Sequence, residues 1–372
     1  MFVLTLVLLA TAAPAAASTS TADRALDHSL EQLVNVKGGP PGASAVIQRG
    51  HKSAVHTAGV AKLGKRRPIH LADHMRIASM SKAFVGATAL VLVDQGKLST
   101  STTIGERVPG MPAAWSRVTL GELLSHTSGL PDYSASKAFQ MWLVQNLHAT
   151  ISPRELINFV AAEPLEFTPG TSYQYSNTDN IVAGLMVEAV TGTSYEHELQ
   201  SLVLAPLGLE KTTLPSGWQM PKPFVHGYDF DPPQPPEDVS ELASMSSLWA
   251  AGGIVSTPAD VNHFIRGDVG RRLFSAKVQR QQFHFVTGES QPPGPGKNSA
   301  GLAVFRYRTA CGTLYGHTGN VFGYTQLMAA SRDRGRSLVV SVNTQLARGT
   351  GDPQAFSALR QVFEDAACAA LG

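Results

Sequence analysis

The chain has 372 residues, 43% of them hydrophobic and 16% charged, which is enough apolar material for a sizeable folded core. Its formal net charge of +2 predicts neither nucleic-acid binding nor binding to an anionic membrane surface. Beyond the N-terminus no apolar run reaches the roughly 18 residues that a membrane span needs, so no stable membrane span is expected.

The first residues differ in composition from the rest of the chain. Residues 2–10 are almost all apolar, and three alanines precede Ser18 as a small-residue cleavage site would. We therefore predict a signal peptide over residues 1–17 and a secreted or extracytoplasmic protein. The segment lacks the basic residue usual at the start of such a peptide, and a disordered tail is the alternative.

The next segment predicts a hairpin followed by a buried helix. Residues 43–50 and 54–61 have the composition of two strands. Residues 83–93 are apolar on all sides, as a buried helix should be, and Gly96 is a suitable end for it.

Ser79 and Lys82 stand one helical turn apart at the head of that buried helix, so their side chains share one face. A serine hydroxyl is a weak nucleophile that needs an adjacent base, and a lysine withdrawn from water has a lowered pKa. The unpaired N–H groups at a helix start also favour negative charge. A second Ser-x-x-Lys, Ser134 to Lys137, is predicted to be a helix start with a solvated lysine.

The middle of the chain predicts further helices. Helix starts are expected at Thr119, Ser152 and Thr257, and one more helix over residues 181–188. The proline-rich segments 215–241 and 291–296 are expected to be surface loops.

The last third of the chain returns to strands. Strands are expected over residues 302–307, 313–315, 323–330 and 337–342, followed by a terminal helix over 353–370. With strands at both ends and helices between, the pattern predicts an α+β fold, in which one antiparallel sheet carries an inserted helical lobe. The sheet lobe would comprise 18–75 and 250–372, and the helical lobe 76–249.

Two further motifs follow the serine in order. Tyr175-Ser176-Asn177 lies in a polar, turn-rich stretch, where a tyrosine next to a lysine could relay a proton and an amide could hold a substrate. His317-Thr318-Gly319 precedes a predicted strand, and its glycine would let backbone approach a ligand closely. Taken singly, each motif is more often an ordinary loop.

Together the three motifs resemble the serine β-lactamase and D-Ala-D-Ala carboxypeptidase superfamily, whose members carry Ser-x-x-Lys and two later motifs in this order. The branch that the chain looks most like is the exported Streptomyces-type D-alanyl-D-alanine carboxypeptidases. Context around the motifs matches as well, for example Leu124 to Leu130 and Ala251 to Thr257. The resemblance covers about residues 28–369.

The resemblance implies a role for each catalytic residue. Ser79 would be the acylated nucleophile, and Lys82 and Tyr175 would share the general-base and general-acid work. His317 would line the substrate-binding strand and favour a carboxylate as it protonates near its usual pKa of about 6.5. His126 matches a family loop without a catalytic role.

The resemblance also implies the substrate-binding groups. Asn177 would position the substrate amide, and Thr318 and Gly319 would bind along the strand. The backbone N–H groups of Ser79 and Asn320 would form the oxyanion hole. No cofactor or metal is expected.

The expected activity is that of an exported D-Ala-D-Ala carboxypeptidase, a monomer that acts on peptidoglycan stem peptides and is acylated by β-lactams. The alternatives are a carboxylesterase or D-amino-acid amidase of the same fold acting on a small acyl or ester substrate, a class C-like β-lactamase, and a non-catalytic binding protein. No Gly-x-Ser-x-Gly elbow supports an α/β-hydrolase. Phe305 stands where that branch has an arginine, with Arg306 one residue on, so the residue that would bind a substrate carboxylate stays open.

The cysteines offer one structural expectation. Cys311 and Cys368 are the only two in the chain, and in an oxidising compartment a lone pair is most simply a disulfide.

Overall fold

A computed structural model describes residues 20–230, 234–349 and 352–372, so the signal peptide predicted over residues 1–17 lies outside the described residues. The α-helices are α1 (Thr21–Asn35), α2 (Ser81–Asp94), α3 (Ile104–Arg107), α4 (Leu120–Leu124), α5 (Lys137–Gln145), α6 (Pro153–Asn158), α7 (Asn177–Thr191), α8 (Tyr195–Leu199), α9 (Ala205–Leu207), α10 (Trp249–Gly252), α11 (Pro258–Val269), α12 (Ala276–Gln282) and α13 (Pro353–Leu371). The strands are β1 (Gly42–Arg49), β2 (Lys52–Gly59), β3 (Met75–Arg76), β4 (Tyr228–Asp229), β5 (Glu237–Asp238), β6 (Val255–Ser256), β7 (Lys297–Ala300), β8 (Phe305–Thr309), β9 (Gly312–Val321), β10 (Tyr324–Ala330) and β11 (Arg336–Val342).

A seven-stranded sheet is built from both ends of the chain. Its strand order is β2-β1-β11-β10-β9-β8-β7, and every neighbouring pair is antiparallel. The N-terminal hairpin joins the C-terminal strands through β1 and β11, where Val46 faces Val339. The predicted fold is therefore confirmed, whereas the residue boundaries proposed for its two lobes stay predictions.

The two faces of the sheet bury different apolar sets, because side chains alternate along each strand. Val46 and Val339 join the core on the side of α2, α7 and α11. Ile47 and Val340 join the core that α1 and α13 cover. The helical lobe thus packs on one face, and the two terminal helices pack on the other.

Helix α2 lies at the centre of the helical lobe. It contacts α7, α10, α8 and α12, and twelve of its residues from Ser81 to Leu92 are buried. Phe84 stacks on Phe264 of α11. The predicted buried helix is confirmed, and such an all-round apolar surface is what a helix surrounded by others requires.

Helix starts followed the capping patterns closely. Thr119 and Ser152 each accept a hydrogen bond from the N–H of the glutamate three residues later, and that glutamate bonds back to the cap. Thr257 caps α11 through the N–H of Asp260. Helix α1 was not predicted, although Ser20 caps it at Asp23 N–H and its buried leucines recur with helical spacing.

The strands on either side of residue 302 differ from the prediction in two ways. The strand expected over 302–307 begins only at Phe305, because Gly301 N–H bonds to Val304 O in a turn where Ala303 has a φ of 57°. The edge strand β7, just before that turn, was not predicted.

Strand β9 runs without a break through the His317 motif, which was expected to precede a strand. Gly316 and Gly319 resemble turn residues, yet both are required by a close backbone approach. A Cβ on Gly316 would lie 1.9 Å from Met328 O, and one on Gly319 would lie 2.3 Å from Ile77 O. Glycine here allows two backbone segments to meet, so it does not end the strand.

The predicted cysteine pairing is confirmed. Cys311 and Cys368 form a disulfide that joins the β8–β9 turn to α13, with 5.2 Å between their Cα atoms. Within the described part of the chain, none of the helices is long and apolar enough to span a bilayer.

Candidate active site

Ser79 lies in a short 3-10 turn, Ala78–Met80, that leads directly into α2. Ala78 is buried and adopts a φ of 51°, a conformation that costs free energy for a residue with a Cβ. The surroundings hold the turn in place, since Ile77 N–H donates to Ile254 O and β9 packs against the turn at Gly319. Ser79 is thereby presented, half-buried, to a cleft of about 700 Å³.

Lys82 is completely buried beside Ser79. Its Nζ lies 2.7 Å from Asn177 Oδ1, 2.6 Å from Ala251 O and 3.1 Å from Ser79 Oγ. Burial lowers the pKa of Lys82 to about 7, although the charges of Asp132 and Asp179 oppose that shift. The two shorter contacts are to atoms that only accept, so a neutral amine would donate to both and keep its lone pair for the Ser79 hydroxyl.

Asn177 begins α7, and both the oxygen and the nitrogen of its side-chain amide form hydrogen bonds within the protein. Its Oδ1 accepts from Lys82, while its Nδ2 donates to Asp132 Oδ2 at 3.1 Å and to Ser134 Oγ at 2.8 Å. The sequence suggested that Asn177 positions a substrate amide. In this structure its Oδ1 orients Lys82, and the substrate-binding role stays a prediction.

The second Ser-x-x-Lys separates into two parts. Lys137 is exposed at the start of α5, as expected. Ser134 lines the cleft and bonds to Asn177, so it belongs to the site. Sequence reasoning missed Asp132 and Ser134. The available signal was the Asp132 side chain just before a helical turn, where it accepts from Ser134 N–H.

Tyr175 lies over the same group of residues. Its ring centroid is 5.0 Å from Lys82 Nζ and 4.4 Å from the centroid of the His126 ring. Burial raises the pKa of Tyr175 well above its ordinary value, and the nearby Ser79 hydroxyl opposes that shift. Its Oη is buried and forms no hydrogen bond of normal geometry with the described residues. The resting phenol is therefore neutral and could give or pass a proton.

A buried pair, His126 and Asp179, lies behind Tyr175. His126 Nδ1 is 2.8 Å from Asp179 Oδ2, and Ser128 Oγ donates to Asp179 Oδ1. Burial raises the pKa of Asp179 and lowers that of His126, so both groups favour their neutral forms. Asp179 was not recognised from the sequence, since its partners come from a distant loop.

His317 lies inside β9 and is completely buried, with Nδ1 2.5 Å from Thr318 O. Burial, with a further contribution from the charge of Lys82, lowers the pKa of His317 to about 3. The expectation that it protonates near 6.5 is therefore wrong, because its site excludes water and faces another cation. A neutral ring packed edge-on against Phe305 does not attract a carboxylate by charge.

The rest of the third motif shapes the wall of the cleft. Thr318 Oγ1 donates to Pro292 O at 2.6 Å, and Pro292 and Asn320 both line the cleft. Gly319 gives β9 its close approach to the nucleophile turn. Thr318 and Gly319 thus fix the strand, and Asn320 is the member of the set that borders the space beside Ser79.

Among the described residues, the lining of the cleft combines apolar walls with one charged pair. Its apolar lining includes Phe139, Leu143, Met245, Leu248 and Phe322.

The charged pair comes from two loops. Arg348 and Glu289 both line the cleft, with Nη1 and Oε1 3.7 Å apart and side chains 71% and 53% exposed. Arg306 lies elsewhere, 4.6 Å above the Phe285 ring and bonded to Ser299. Neither Arg348 nor Glu289 was singled out from the sequence, because loop positions give no pattern that points to one cavity.

Among residues 20–230, 234–349 and 352–372, no group of three or more His, Cys, Asp or Glu side chains is placed to hold a metal ion.

Comparison with known proteins places this geometry in context. The sequence model of the family described as Beta-lactamase matches residues 22–360. Penicillin-binding protein 4* of Bacillus subtilis (strain 168) is 24% identical over 307 residues, covering 78% of this chain and 65% of that protein. A D-aminopeptidase of Cereibacter sphaeroides (strain KD131) is 30% identical over 210 residues, covering 55% of this chain and 39% of that protein. The chain therefore spans less than two thirds of both curated relatives.

A solved structure of similar size also matches. The D-stereospecific amidohydrolase from Streptomyces sp. superposes with a TM-score of 0.79 at 29% identity, covering 91% of this chain and 98% of that one.

Proposed function

The chain belongs to the Beta-lactamase family, as a serine hydrolase of the β-lactamase and penicillin-binding protein type, and we propose that it transfers the acyl group of a D-amino-acid amide or peptide to Ser79 and then to water. The observation that carries the proposal is the placement of Lys82. This buried amine has two fixed acceptors and a third contact to the Ser79 hydroxyl.

Acylation starts with neutral Lys82. Its lone pair takes the Ser79 proton as Ser79 Oγ bonds to the substrate carbonyl carbon. The oxyanion faces the backbone N–H groups of Ser79 and Asn320. The proton passes from Lys82, by way of Tyr175, to the leaving nitrogen as the C–N bond breaks, leaving an ester on Ser79.

Hydrolysis of that ester reverses the proton transfers. Water attacks the ester carbon, and Lys82 takes its proton, directly or through Tyr175, which passes its own proton to Lys82 as it accepts one. The Ser79 oxygen leaves, recovers a proton and returns the enzyme to its starting state. The raised pKa of Tyr175 suits a group that must hold a proton at rest.

Amides and peptides of an apolar D-amino acid are the first substrate candidate. The apolar wall of the cleft would take such a side chain, and Glu289 would face its α-ammonium group. The names of two relatives, the D-stereospecific amidohydrolase and the D-aminopeptidase, support this choice. Neither Phe305 nor the neutral His317 offers a positive charge to a substrate carboxylate.

The D-Ala-D-Ala carboxypeptidase predicted from the sequence is the second candidate. A terminal carboxylate needs a cation, and among the described residues Arg348 is the cation that borders the cleft. Its partner Glu289 is 3.7 Å away at an exposed position, where an ion pair contributes little and a substrate carboxylate could replace it.

One panel of assays tests both candidates. Hydrolysis of D-phenylalanine amide, its L-enantiomer, an N-acyl-D-Ala-D-Ala peptide and a p-nitrophenyl ester would be measured side by side, with Ser79→Ala as the blank. The first candidate expects preference for the D-amide and a KM about tenfold higher in Glu289→Ala. The second candidate expects D-Ala release and a KM about tenfold higher in Arg348→Ala. Turnover of the ester alone would favour an esterase.

A wild-type protein that turns over no substrate and carries no adduct on Ser79 after incubation with penicillin would refute the proposed function. Fast release of hydrolysed penicillin would instead indicate a β-lactamase.

We also place the reaction outside the cytoplasm. The disulfide between Cys311 and Cys368 supports this, because such bonds persist in oxidising compartments. Recovery of the processed protein from culture medium would test it.

A further inference from the structure

Asp132 is a half-buried link between the helical lobe and the reacting pair. It caps the 3-10 turn Tyr133–Ala135, and its Oδ1 accepts from the N–H and the hydroxyl of Ser134, both at 3.0 Å. Its other oxygen, Oδ2, accepts from Asn177 Nδ2 at 3.1 Å. The carboxylate is therefore fixed by the turn on one side and holds Asn177 on the other.

This contact decides which way the Asn177 amide points. A side-chain amide has nearly the same shape in either orientation, so its partners determine the choice. A carboxylate only accepts, so the group facing Asp132 must be the NH₂. The amide oxygen is then left for Lys82, 2.7 Å away.

If the amide were reversed, its NH₂ would face the N–H groups of Lys82. Lys82 would lose one of its two acceptors, and its lone pair would no longer be aimed at Ser79 alone.

The negative charge of Asp132 also stabilises the ammonium form of Lys82. The titratable groups that face the amine are Asp132, Asp179, Tyr175, His126 and His317. The two histidines and Tyr175 favour neutral forms, as does Asp179, whose pKa burial raises. Asp132 makes the largest contribution among those that favour the ammonium form of Lys82.

We infer that Asp132 is a positioning residue for acyl transfer: its carboxylate holds the Asn177 amide with the oxygen on Lys82 and supplies the negative charge that faces the ammonium form. The inference rests on the proposed function for its link to catalysis. Its effect on Lys82 is independent of any substrate.

The test compares wild type with Asp132→Asn and with Ser134→Ala, the matched variant that removes a hydrogen-bond partner and keeps the charge. Titration of Lys82 is followed by NMR of lysine labelled at Cε, with Lys82→Met identifying its signal. The rate of Ser79 acylation by a fluorescent penicillin is measured from pH 5 to 9.

Asp132→Asn should lower the Lys82 midpoint by roughly 1 pH unit, because an opposite charge is removed. The acid limb of the acylation rate should shift to lower pH by the same amount, since a smaller fraction of Lys82 is in the ammonium form at each pH. The plateau of the acylation rate should fall roughly 10- to 100-fold. An asparagine has one acceptor oxygen where Ser134 and Asn177 now use two, so the Asn177 amide can reverse its orientation. Ser134→Ala should lower the plateau only a few-fold and leave both midpoints within about 0.2 units.

An unchanged Lys82 midpoint in Asp132→Asn would overturn the inference. So would equal shifts in the two variants, since loss of packing and not loss of charge would then be the cause. A shifted midpoint in a protein that no probe acylates would support the effect on Lys82 while refuting the proposed function. If Asp132→Asn does not fold, Asp132→Ser keeps a cap acceptor without charge and carries the same comparison.

Discussion

The Ser79–Lys82 and Ser134–Lys137 pairs share one sequence pattern and differ in surroundings. Each serine lies in a 3-10 turn before a helix, α2 in one case and α5 in the other. Lys82 is fully buried, whereas Lys137 is exposed. The difference follows from the helices, since α2 is buried over most of its length and α5 buries only Phe139.

The comparison teaches that the spacing supplies proximity and the environment supplies reactivity. A solvated lysine is an ammonium at neutral pH and has no lone pair to offer. A lysine surrounded by apolar helices gives up its proton more readily, as Lys82 does with a pKa of about 7. The experiments below ask whether that distinction holds, from the largest expected effect to the smallest.

Replacing the two serines in turn should give the largest difference between the two motifs. Ser79→Ala should abolish covalent labelling by penicillin or fluorophosphonate probes, with activity at least about a thousandfold lower, because the nucleophile is gone. Ser134→Ala should still be labelled, because its hydroxyl only supports Asn177. Mass spectrometry of the intact protein gives the answer. Labelling that survives in Ser79→Ala would contradict the nucleophile assignment.

The lysines should differ next. Lys82→Ala should lower kcat/KM by roughly 10²–10⁴, the range for losing a general base, while Lys137→Ala should match wild type. In wild type kcat/KM should rise with pH through about 7, because neutral Lys82 is the active form. A pH–rate profile checks this. A profile that falls through that range would mean that the ammonium form is needed.

Replacing Lys82 should raise stability while it lowers activity. The pKa of Lys82 is lower folded, about 7, than in the unfolded chain, so between about pH 7 and 10 the unfolded state binds more protons and wild-type stability rises with pH. Lys82→Met has no charge to bury and should be more stable than wild type below pH 7, by a few kcal/mol in order of magnitude.

That difference should shrink as pH approaches 10, and Lys137→Met should show no such dependence. Urea unfolding at pH 6 and pH 9.5 measures it. A gap between Lys82→Met and wild type that is the same at both values would mean that Lys82 keeps its proton in the fold throughout, with a pKa no lower than in the unfolded chain.

Much of the fold could be read from short-range patterns. The capping residues Thr119, Ser152 and Thr257 each begin the predicted helix, because a cap contacts N–H groups only three residues away. The hairpin at 43–61 and the helix after Ser79 were equally clear. Strand β9 was expected to end at residue 315 and continues to Val321, because glycine signals a turn in sequence and marks a close backbone approach in the fold.

The candidate site was predictable only in part. Residues with a recognisable motif were found, and the structure brings Ser79, Lys82, Tyr175 and Asn177 together. Asp179, Glu289 and Arg348 were missed, because nothing in their immediate neighbours marks them. Asp132 was missed although its position just before a helical turn was a signal.

The sequence by itself determined which groups could react: a serine one turn before a lysine, at the head of a helix too apolar to face water. The tertiary structure decided the hydrogen-bond partners and the protonation states of those groups. The acceptors of Lys82 are Asn177 and Ala251, which lie 95 and 169 positions further along the chain. Burial sets the pKa of Lys82 and that of His317. Protonation depends on the water and charge around a group, and those come from segments that local patterns do not connect.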